Sequence, residues 1–174
     1  SGVNPFSLNQ AGNHAAVFAA AVTGGDLSYT DAGAVSLGTV SGVVGVDTAA
    51  AGFSLKAGGA VSQTAAVAVG GTLNLDTGAF PITLNRNDNG FGLVTVVSAG
   101  TVTLRDADGF GIGAAAATGN FDASTVSGDI TVSGTLSTGA GNILLHPAGD
   151  LWITGSLTAT TGNITLDPAD AAAS

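Results

Sequence analysis

Two adjacent stretches of the chain share one pattern of apolar and polar positions. Residues 128–148, GDITVSGTLSTGAGNILLHPA, are followed directly by residues 149–169, GDLWITGSLTATTGNITLDPA, and ten positions are identical. In each copy, apolar and polar side chains alternate within three short runs that Gly residues separate, as they do in half-buried β-strands. In the second copy this alternation places Leu151 and Ile153 on one face and Trp152 on the other. The pattern predicts three short strands in every copy of the repeat.

One turn of three short strands cannot bury its own apolar side chains, but stacked turns bury one another, as in a parallel β-helix. The sequence therefore predicts an all-β fold, a right-handed parallel β-helix (β-solenoid) of about eight coils of roughly 20 residues. Glu is absent and Lys occurs once, which argues against a helical protein. The structural core ladders predicted from the two copies pair Val132 with Ile153, Leu136 with Leu157, Ile143 with Ile164, and Leu145 with Leu166.

A longer repeat is also present. Residues 4–38 align with residues 79–113, so that Leu8 matches Leu84, Asp31 matches Asp106 and Leu37 matches Ile112, with a single-residue shift between the first match and the later two. The predicted organisation is a single solenoid over 1–168, made of two large repeats at about 4–78 and 79–148 and a further coil at 149–169, with a tail or linker at 170–174. The alignment also places HAAVFAAAV (14–22), which helix propensity would make helical, opposite the strand-like FGLVTVVS, and so favours strands there.

The composition excludes several classes of protein. Charged residues make up 9% of the chain and its net charge is −9, so no basic surface is available for nucleic acid or for anionic lipid. No apolar run approaches the length of a membrane span, and the absence of Cys excludes disulfides and thiolate metal sites. Neither terminus carries a polar cap, which predicts that the chain is a slice of a longer solenoid.

The segment NRNDNGFGLVTVVSAGTVTLRDADGFGIG, followed by STVSGDITVSGTLSTGAGNILL, resembles the repeat arrays of large bacterial exoproteins related to filamentous haemagglutinin, which are secreted by the two-partner route. The resemblance extends from about Phe6 to Pro168. It implies a right-handed β-helix in the extracellular medium or at the bacterial cell surface, acting as a stalk, an adhesin or a fibre. The family's N-terminal secretion domain has no counterpart in this sequence, which leaves the secretion route open.

Polysaccharide-active enzymes also use the right-handed β-helix, but they need clustered carboxylates or a positioned base. Here the Asp residues recur at turns, once per coil, and the three basic side chains are scattered, so no catalytic residue and no cofactor is predicted. Asp88, Asp106 and Asp108 are weak calcium candidates, because they lie in short Asp/Asn/Gly loops. Turns made by Asp and Asn before Gly are the favoured interpretation of these loops, and no metal site is predicted.

Trp152 is the one candidate for contact with a partner. The alternation sends it outward, where an indole can anchor a protein interface or stack on a sugar ring. The expected partners are copies of the same chain or flanking repeats of the same protein, with host or matrix glycans as an alternative. His146, opposite Asp167, is expected to be a turn residue, and Asn142 and Asn163 are expected to stack as a short amide ladder.

Overall fold

The structure, a computed structural model, describes residues 5–169. Every regular element in this range is a β-strand, so the predicted all-β fold is confirmed. The ambiguous stretch at 14–22 contains two strands and no helix. None of the described residues forms a helix that is long and apolar enough to cross a membrane. The tail predicted at 170–174 lies outside the described residues.

The described chain forms short strands separated by tight turns. In order they are β1 (Phe6–Leu8), β2 (Val17–Phe18), β3 (Ala20–Ala21), β4 (Leu27–Asp31), β5 (Val35–Leu37), β6 (Thr39–Val40), β7 (Val43–Val44), β8 (Val46–Asp47), β9 (Phe53–Ala57), β10 (Val61–Gln63), β11 (Val67–Asp76), β12 (Ile82–Leu84), β13 (Gly90–Ala99), β14 (Val102–Asp106), β15 (Phe110–Ala117), β16 (Phe121–Thr125), β17 (Ile130–Val132), β18 (Thr135–Thr138), β19 (Ile143–His146), β20 (Leu151–Ile153), β21 (Ser156–Ala159) and β22 (Ile164–Leu166).

Apart from β6 and β7, successive coils stack these strands into three columns, in which all neighbouring strands pair in parallel. Column 1 contains β1, β4, β9, the second halves of β11, β13 and β15, then β18 and β21. Column 2 is the eight-stranded sheet β2-β5-β10-β12-β14-β16-β19-β22. Column 3 contains β3, β8, the first halves of β11, β13 and β15, then β17 and β20. Because columns 1 and 2 each hold eight strands, the predicted count of about eight coils is confirmed, whereas the handedness stays a prediction.

Most coils have nearly the same length, and one coil carries an insertion. Phe6 pairs with Leu27 and Ile130 pairs with Leu151, which are equal steps along the chain, but Leu27 pairs with Phe53, which is a longer step. The additional length is the antiparallel hairpin β6–β7, which lies between columns 2 and 3. Its two-residue turn has positive φ at Ser41 (49°) and Gly42 (87°), which is the backbone of a type I′ hairpin turn.

Side chains alternate between the core and the surface along each strand, as along β9, whose first, third and fifth residues are buried. The four ladder pairs expected from the sequence are direct neighbours across the parallel strands. Val132, Ile143 and Leu145 are fully buried, but their partners Ile153, Ile164 and Leu166 are 39–45% exposed. These three differ from the expected core position because they lie on the last described strands of their columns, where no further described coil covers them.

The opposite end of the stack shows the same feature. Phe6 and Leu8 on β1 are 53% and 50% exposed, whereas their partners on β4, Leu27 and Tyr29, are 3% and 4% exposed. The apolar core therefore runs through all eight coils and opens at the first and last described rungs.

One ladder provides a matched test of this packing. Leu145→Ala should lower the free energy of unfolding by about 2–5 kcal/mol, because it leaves a cavity in a closed core. Leu166→Ala, the same change one rung higher, should cost well under half as much, because that side chain is already half exposed. Chemical denaturation of the two variants at low protein concentration measures both values. Equal losses would contradict the assignment of Leu166 to an open rung.

Candidate functional site

Trp152 lies on β20, the last strand of column 3, and points away from the core. It is 56% exposed and pairs with Thr131 on β17. Asp150, two residues before it, donates its backbone N–H to the Asp129 carboxylate of the coil below (2.8 Å). The surface around the indole therefore offers one aromatic face, a hydroxyl group and a pair of carboxylates.

The three weak calcium candidates do not form one site. Asp88 accepts two hydrogen bonds of 2.8 Å from the Arg86 guanidinium, and both side chains are at the surface. Asp106 is fully buried, while Asp108 is exposed. Within residues 5–169 no three His, Asp or other ligating side chains lie close enough together to hold a metal ion.

Asp106 instead stabilises the turn between columns 2 and 3. One of its carboxylate oxygens accepts the backbone N–H of Phe91 in the coil below (2.7 Å), and the other accepts those of Asp108 (3.1 Å) and Gly109 (2.9 Å). Burial raises the pKa of Asp106 above its ordinary value, although the three N–H donors oppose this shift. The carboxyl group is therefore a structural acceptor that satisfies buried backbone donors.

Asn89 completes this turn and joins three coils. Its amide nitrogen donates to the carbonyl oxygens of Leu84 (3.3 Å) and Arg105 (2.9 Å), and its amide oxygen accepts the N–H of Val67 (3.0 Å). The Gln63 amide nitrogen donates to the Asn89 amide oxygen (2.8 Å), and the Asn89 amide nitrogen donates to the Gln63 amide oxygen (3.0 Å). We call Asn89 and Asp106 the upper Asn–Asp corner.

The same arrangement occurs a second time, in the first two coils of the described chain. Asn13 donates to the carbonyl oxygens of Leu8 (2.8 Å) and Thr30 (3.1 Å), and Asp31 accepts the N–H of Ala15 (2.7 Å). In both corners the residue after the Asp also donates its backbone N–H to the backbone carbonyl oxygen of the Asn. Ala32 donates to Asn13 at 2.7 Å, and Ala107 donates to Asn89 at 2.9 Å. This lower Asn–Asp corner lies between columns 1 and 2, whereas the upper one lies between columns 2 and 3.

The lower corner has an additional partner, the only tyrosine in the chain. The Tyr29 hydroxyl donates to the Asp31 carboxylate at 2.6 Å, and its ring stacks on Phe18 with centroids 4.2 Å apart. Burial raises the pKa of Asp31, but the Tyr29 hydroxyl and two backbone N–H groups outweigh it and hold the pKa below its ordinary value. Burial and the same hydrogen bond raise the pKa of Tyr29 to about 12.

Sequence reasoning missed a second kind of corner. Four inward-facing threonines are buried at strand ends or turns, and each hydroxyl donates to the carbonyl oxygen three residues later, in the pairs Thr48–Ala51, Thr77–Phe80, Thr125–Gly128 and Thr138–Gly141. A signal was available, since an inward Thr at the end of an alternating strand is poorly placed in an apolar core unless its hydroxyl has a partner.

The predicted asparagine ladder is present in a different form. The Asn142 N–H donates to the Asn120 side-chain oxygen (2.9 Å), and the Asn163 N–H donates to the Asn142 side-chain oxygen (2.8 Å). The contacts therefore run from side chain to backbone, and they extend over three coils. His146 is the last residue of strand β19, so the expectation that it lies in a turn is wrong. Its Nδ1 lies 3.1 Å from the Asp167 carboxylate of the next coil.

Asp106→Asn should lower the free energy of unfolding by about 1–3 kcal/mol at neutral pH, because an amide group cannot accept on both sides and leaves at least one buried N–H without a partner. Asp108→Asn is the matched control two residues away, and its exposed side chain should contribute little. Denaturation in urea measures both variants, and equal stabilities would contradict the role assigned to Asp106.

Tyr29 should titrate with a midpoint near pH 12 in the folded chain, whereas an unperturbed tyrosine titrates near about 10. Between these values the folded chain keeps a proton that the unfolded chain releases. The stability linked to Tyr29 is therefore complete below about pH 10 and falls as the pH rises toward 12. Tyrosinate absorbance measures the titration without overlap from other tyrosines, with the urea-unfolded chain as control. A folded-state midpoint near that of the unfolded chain would contradict the buried hydrogen bond.

Comparison with known proteins adds one match. The model of a family of repeats of unknown function (DUF5649) matches residues 24–98 and again residues 99–151, well over half of the chain. No curated protein and no solved structure shows significant similarity. The step from the start of the first match to the start of the second equals the step that relates Asp31 to Asp106. The chain therefore belongs to this family of repeats of unknown function, DUF5649.

Proposed function

We propose that the chain is a structural segment of a bacterial surface or secreted protein, a rod-like stalk or fibre element. The observation that supports this proposal best is the apolar core that runs unbroken through all eight coils. At a strand spacing of about 4.8 Å, eight coils give a rod on the order of 40 Å long. Such a rod holds whatever it connects at a fixed separation.

The use of the polar groups also favours a structural role. Both buried carboxylates, Asp31 and Asp106, accept backbone N–H groups at corners. Among the basic side chains, Lys56 lies 3.1 Å from Asp76 and Arg86 pairs with Asp88. These charged groups take part in local contacts that stabilise the coils and are spread along the rod.

The outward surface of column 1 suits an extracellular rod. In seven of its eight strands the aligned outward position holds a small neutral polar side chain, namely Ser7, Ser28, Ser54, Asn74, Thr95, Thr135 and Ser156, whereas β15 presents Ala114 and Ala116. Hydroxyl and amide groups keep such a surface hydrated with few charges. Together with the resemblance of the repeats to filamentous-haemagglutinin-like exoproteins, this surface supports a location outside the cell.

Glycan binding is a second candidate function, and the position of Trp152 favours it. An indole that is 56% exposed can stack on the apolar face of a pyranose ring. Thr131 and the carboxylates of Asp129 and Asp150 are close enough in the strand register to accept or donate hydrogen bonds to sugar hydroxyls. This surface would make the rod adhesive.

Antibodies raised against the purified chain should label intact cells that carry the native protein. External protease should remove that labelling, because the proposed location is outside the cell. A cytoplasmic protein of the same cells, labelled in parallel, is the control for membrane integrity. Labelling that appears only after the cells are permeabilised would contradict the extracellular proposal.

The glycan-binding candidate is separated from a purely structural role by the fluorescence of Trp152, the only tryptophan in the chain. A saturable change in its emission on addition of a neutral or acidic polysaccharide, together with loss of binding of the same polysaccharide by Trp152→Ala in titration calorimetry, would establish the adhesive role. Unchanged emission across a panel of neutral and acidic polysaccharides would contradict glycan binding at Trp152, and only the structural role would remain.

A further inference from the structure

We infer that the outward side of column 1 binds a straight, uncharged polysaccharide chain that lies along the rod axis. The surface is formed by β4, β9, the second halves of β11, β13 and β15, and β18, and we call it the column 1 furrow. Each of these strands has a described coil on both sides, so its own neighbours set the shape of the furrow. The inference goes beyond the proposed structural role, and it does not involve Trp152, which lies on column 3.

Three adjoining hollows make the furrow continuous. The first, of about 170 Å³, is lined by outward side chains that include Ser54, Asn74 and Val97. A second, of about 270 Å³, shares Ser54 and Asn74 with the first. A third, also of about 270 Å³, shares Val97 and continues over Ala114 to Thr135 on β18. The furrow therefore crosses the strands from β4 to β18 and follows the direction in which the coils stack.

Polar side chains along the furrow form a straight row, because the strands of column 1 pair in parallel. Ser28 aligns with Ser54 on β9, and Ser54 aligns with Asn74 on β11. Asn74 in turn aligns with Thr95 on β13. Neighbours in this row are one strand spacing apart, about 4.8 Å. Since one pyranose ring has nearly this length, a straight chain of such rings would place each ring against the equivalent position of the next coil.

The row has hydrogen-bonding groups that are free to meet a ligand. The Asn74 amide oxygen accepts the Thr95 hydroxyl at 2.9 Å, but the Asn74 amide nitrogen has no partner among the described residues. The hydroxyl of Ser54, an exposed residue, likewise makes no hydrogen bond within residues 5–169. Hydroxyl groups both donate and accept, so sugar hydroxyls can pair with either of these groups.

The charge of the furrow selects an uncharged ligand. The charged outward side chains on its strands are Lys56 and Asp76, which lie 3.1 Å apart and neutralise each other. The chain as a whole carries a net charge of −9, which repels a polyanion. A polycation would need a free carboxylate, and the one outward carboxylate on these strands is already paired with Lys56.

One part of the furrow is apolar. Val97 is 59% exposed, and Ala114 and Ala116 on β15 are exposed beside it. A hexopyranose with equatorial substituents has the same two kinds of surface, because its C–H bonds form an apolar face and its hydroxyl groups lie around the rim. Covering the three aliphatic side chains with that face would remove them from water, while the rim would meet the neighbouring Thr95 and Thr135.

The straightness of the furrow decides between the two common kinds of neutral hexopyranose chain. Equatorial linkages, as in β-linked glucans and mannans, keep successive rings in an extended line, whereas the axial linkages of α-linked glucans make the chain coil. Only an extended chain can contact several rungs of a straight surface at once. The occupant is therefore an uncharged, equatorially linked hexopyranose polymer.

The test compares two gluco-oligosaccharides of the same size, cellohexaose and maltohexaose, by titration calorimetry with the folded chain. They have the same composition and the same number of hydroxyl groups, and they differ only in the linkage between the rings. Cellohexaose should bind saturably. Maltohexaose should bind at least about tenfold more weakly, because its coiled chain cannot lie along the furrow.

Ser54→Ala and Ser62→Ala are a matched pair, since both serines are exposed and lie on the consecutive strands β9 and β10, in columns 1 and 2. Ser54→Ala should weaken cellohexaose binding about twofold to tenfold, because it removes one hydrogen bond to an uncharged group. Ala114→Glu should abolish binding, because it places a bulky charged side chain on the apolar part of the furrow. Ser62→Ala and Trp152→Ala should bind as the wild-type chain does.

Failure of cellohexaose to bind a wild-type chain with strand-dominated circular dichroism would overturn the inference, and so would equally tight binding of maltohexaose. Binding that is lost in Trp152→Ala but unchanged in Ser54→Ala and Ala114→Glu would place the sugar at Trp152 and would also overturn it. Each of these results would leave the surface labelling, and with it the proposed structural function, unaffected.

Discussion

The rest of the structure depends on one constraint: an inward side chain is buried by the coils on either side of it and not by its own coil. Val132 and Ile153 occupy the same position in neighbouring strands, yet one is fully buried and the other is 39% exposed. The difference between them is that a further described coil covers Val132 and none covers Ile153. Stability is therefore a property of the stack, as in other repeat proteins, and each coil contributes mainly through its contact with the next.

Stacking in turn requires that every corner satisfies its backbone groups, because buried N–H and C=O groups without partners are costly. This chain uses three devices for that purpose: the two Asn–Asp corners, the buried threonines that bond to the carbonyl three residues later, and the ladders in which an Asn or Asp side chain accepts the N–H of the next coil. These devices account for Asp106, whose loop resembles a weak calcium site in the sequence alone.

The sequence predicts the elements that depend on a regular period. The shorter repeat is sufficient to pair Leu145 with Leu166 and to orient Trp152 outward, because a slip of one residue would reverse every side chain. It does not predict the 39–45% exposure of Ile153, Ile164 and Leu166 on the last described rung. The hairpin β6–β7 breaks the period and does not follow from it, although the Ser41–Gly42 pair between valines is a hairpin signal. The hydrogen bonds of Asp106 come from Phe91, Asp108 and Gly109, and only the fold brings Phe91 to it.

Two periods coexist in this chain, and the longer one is not a multiple of the shorter. The coil period is the step from Leu145 to Leu166. The family repeat is longer, because its model matches from residue 24 and again from residue 99. One family repeat therefore moves the chain up by three full coils and then on to the next column. Asp31 consequently lies between columns 1 and 2, and Asp106 lies between columns 2 and 3. The corner tolerates this shift because its hydrogen bonds need only a strand end and the turn of the adjacent coil, and both are present at each of the two positions. Equivalent positions of two successive family repeats, such as Asp31 and Asp106, therefore lie at different corners of the coil and on different sides of the rod.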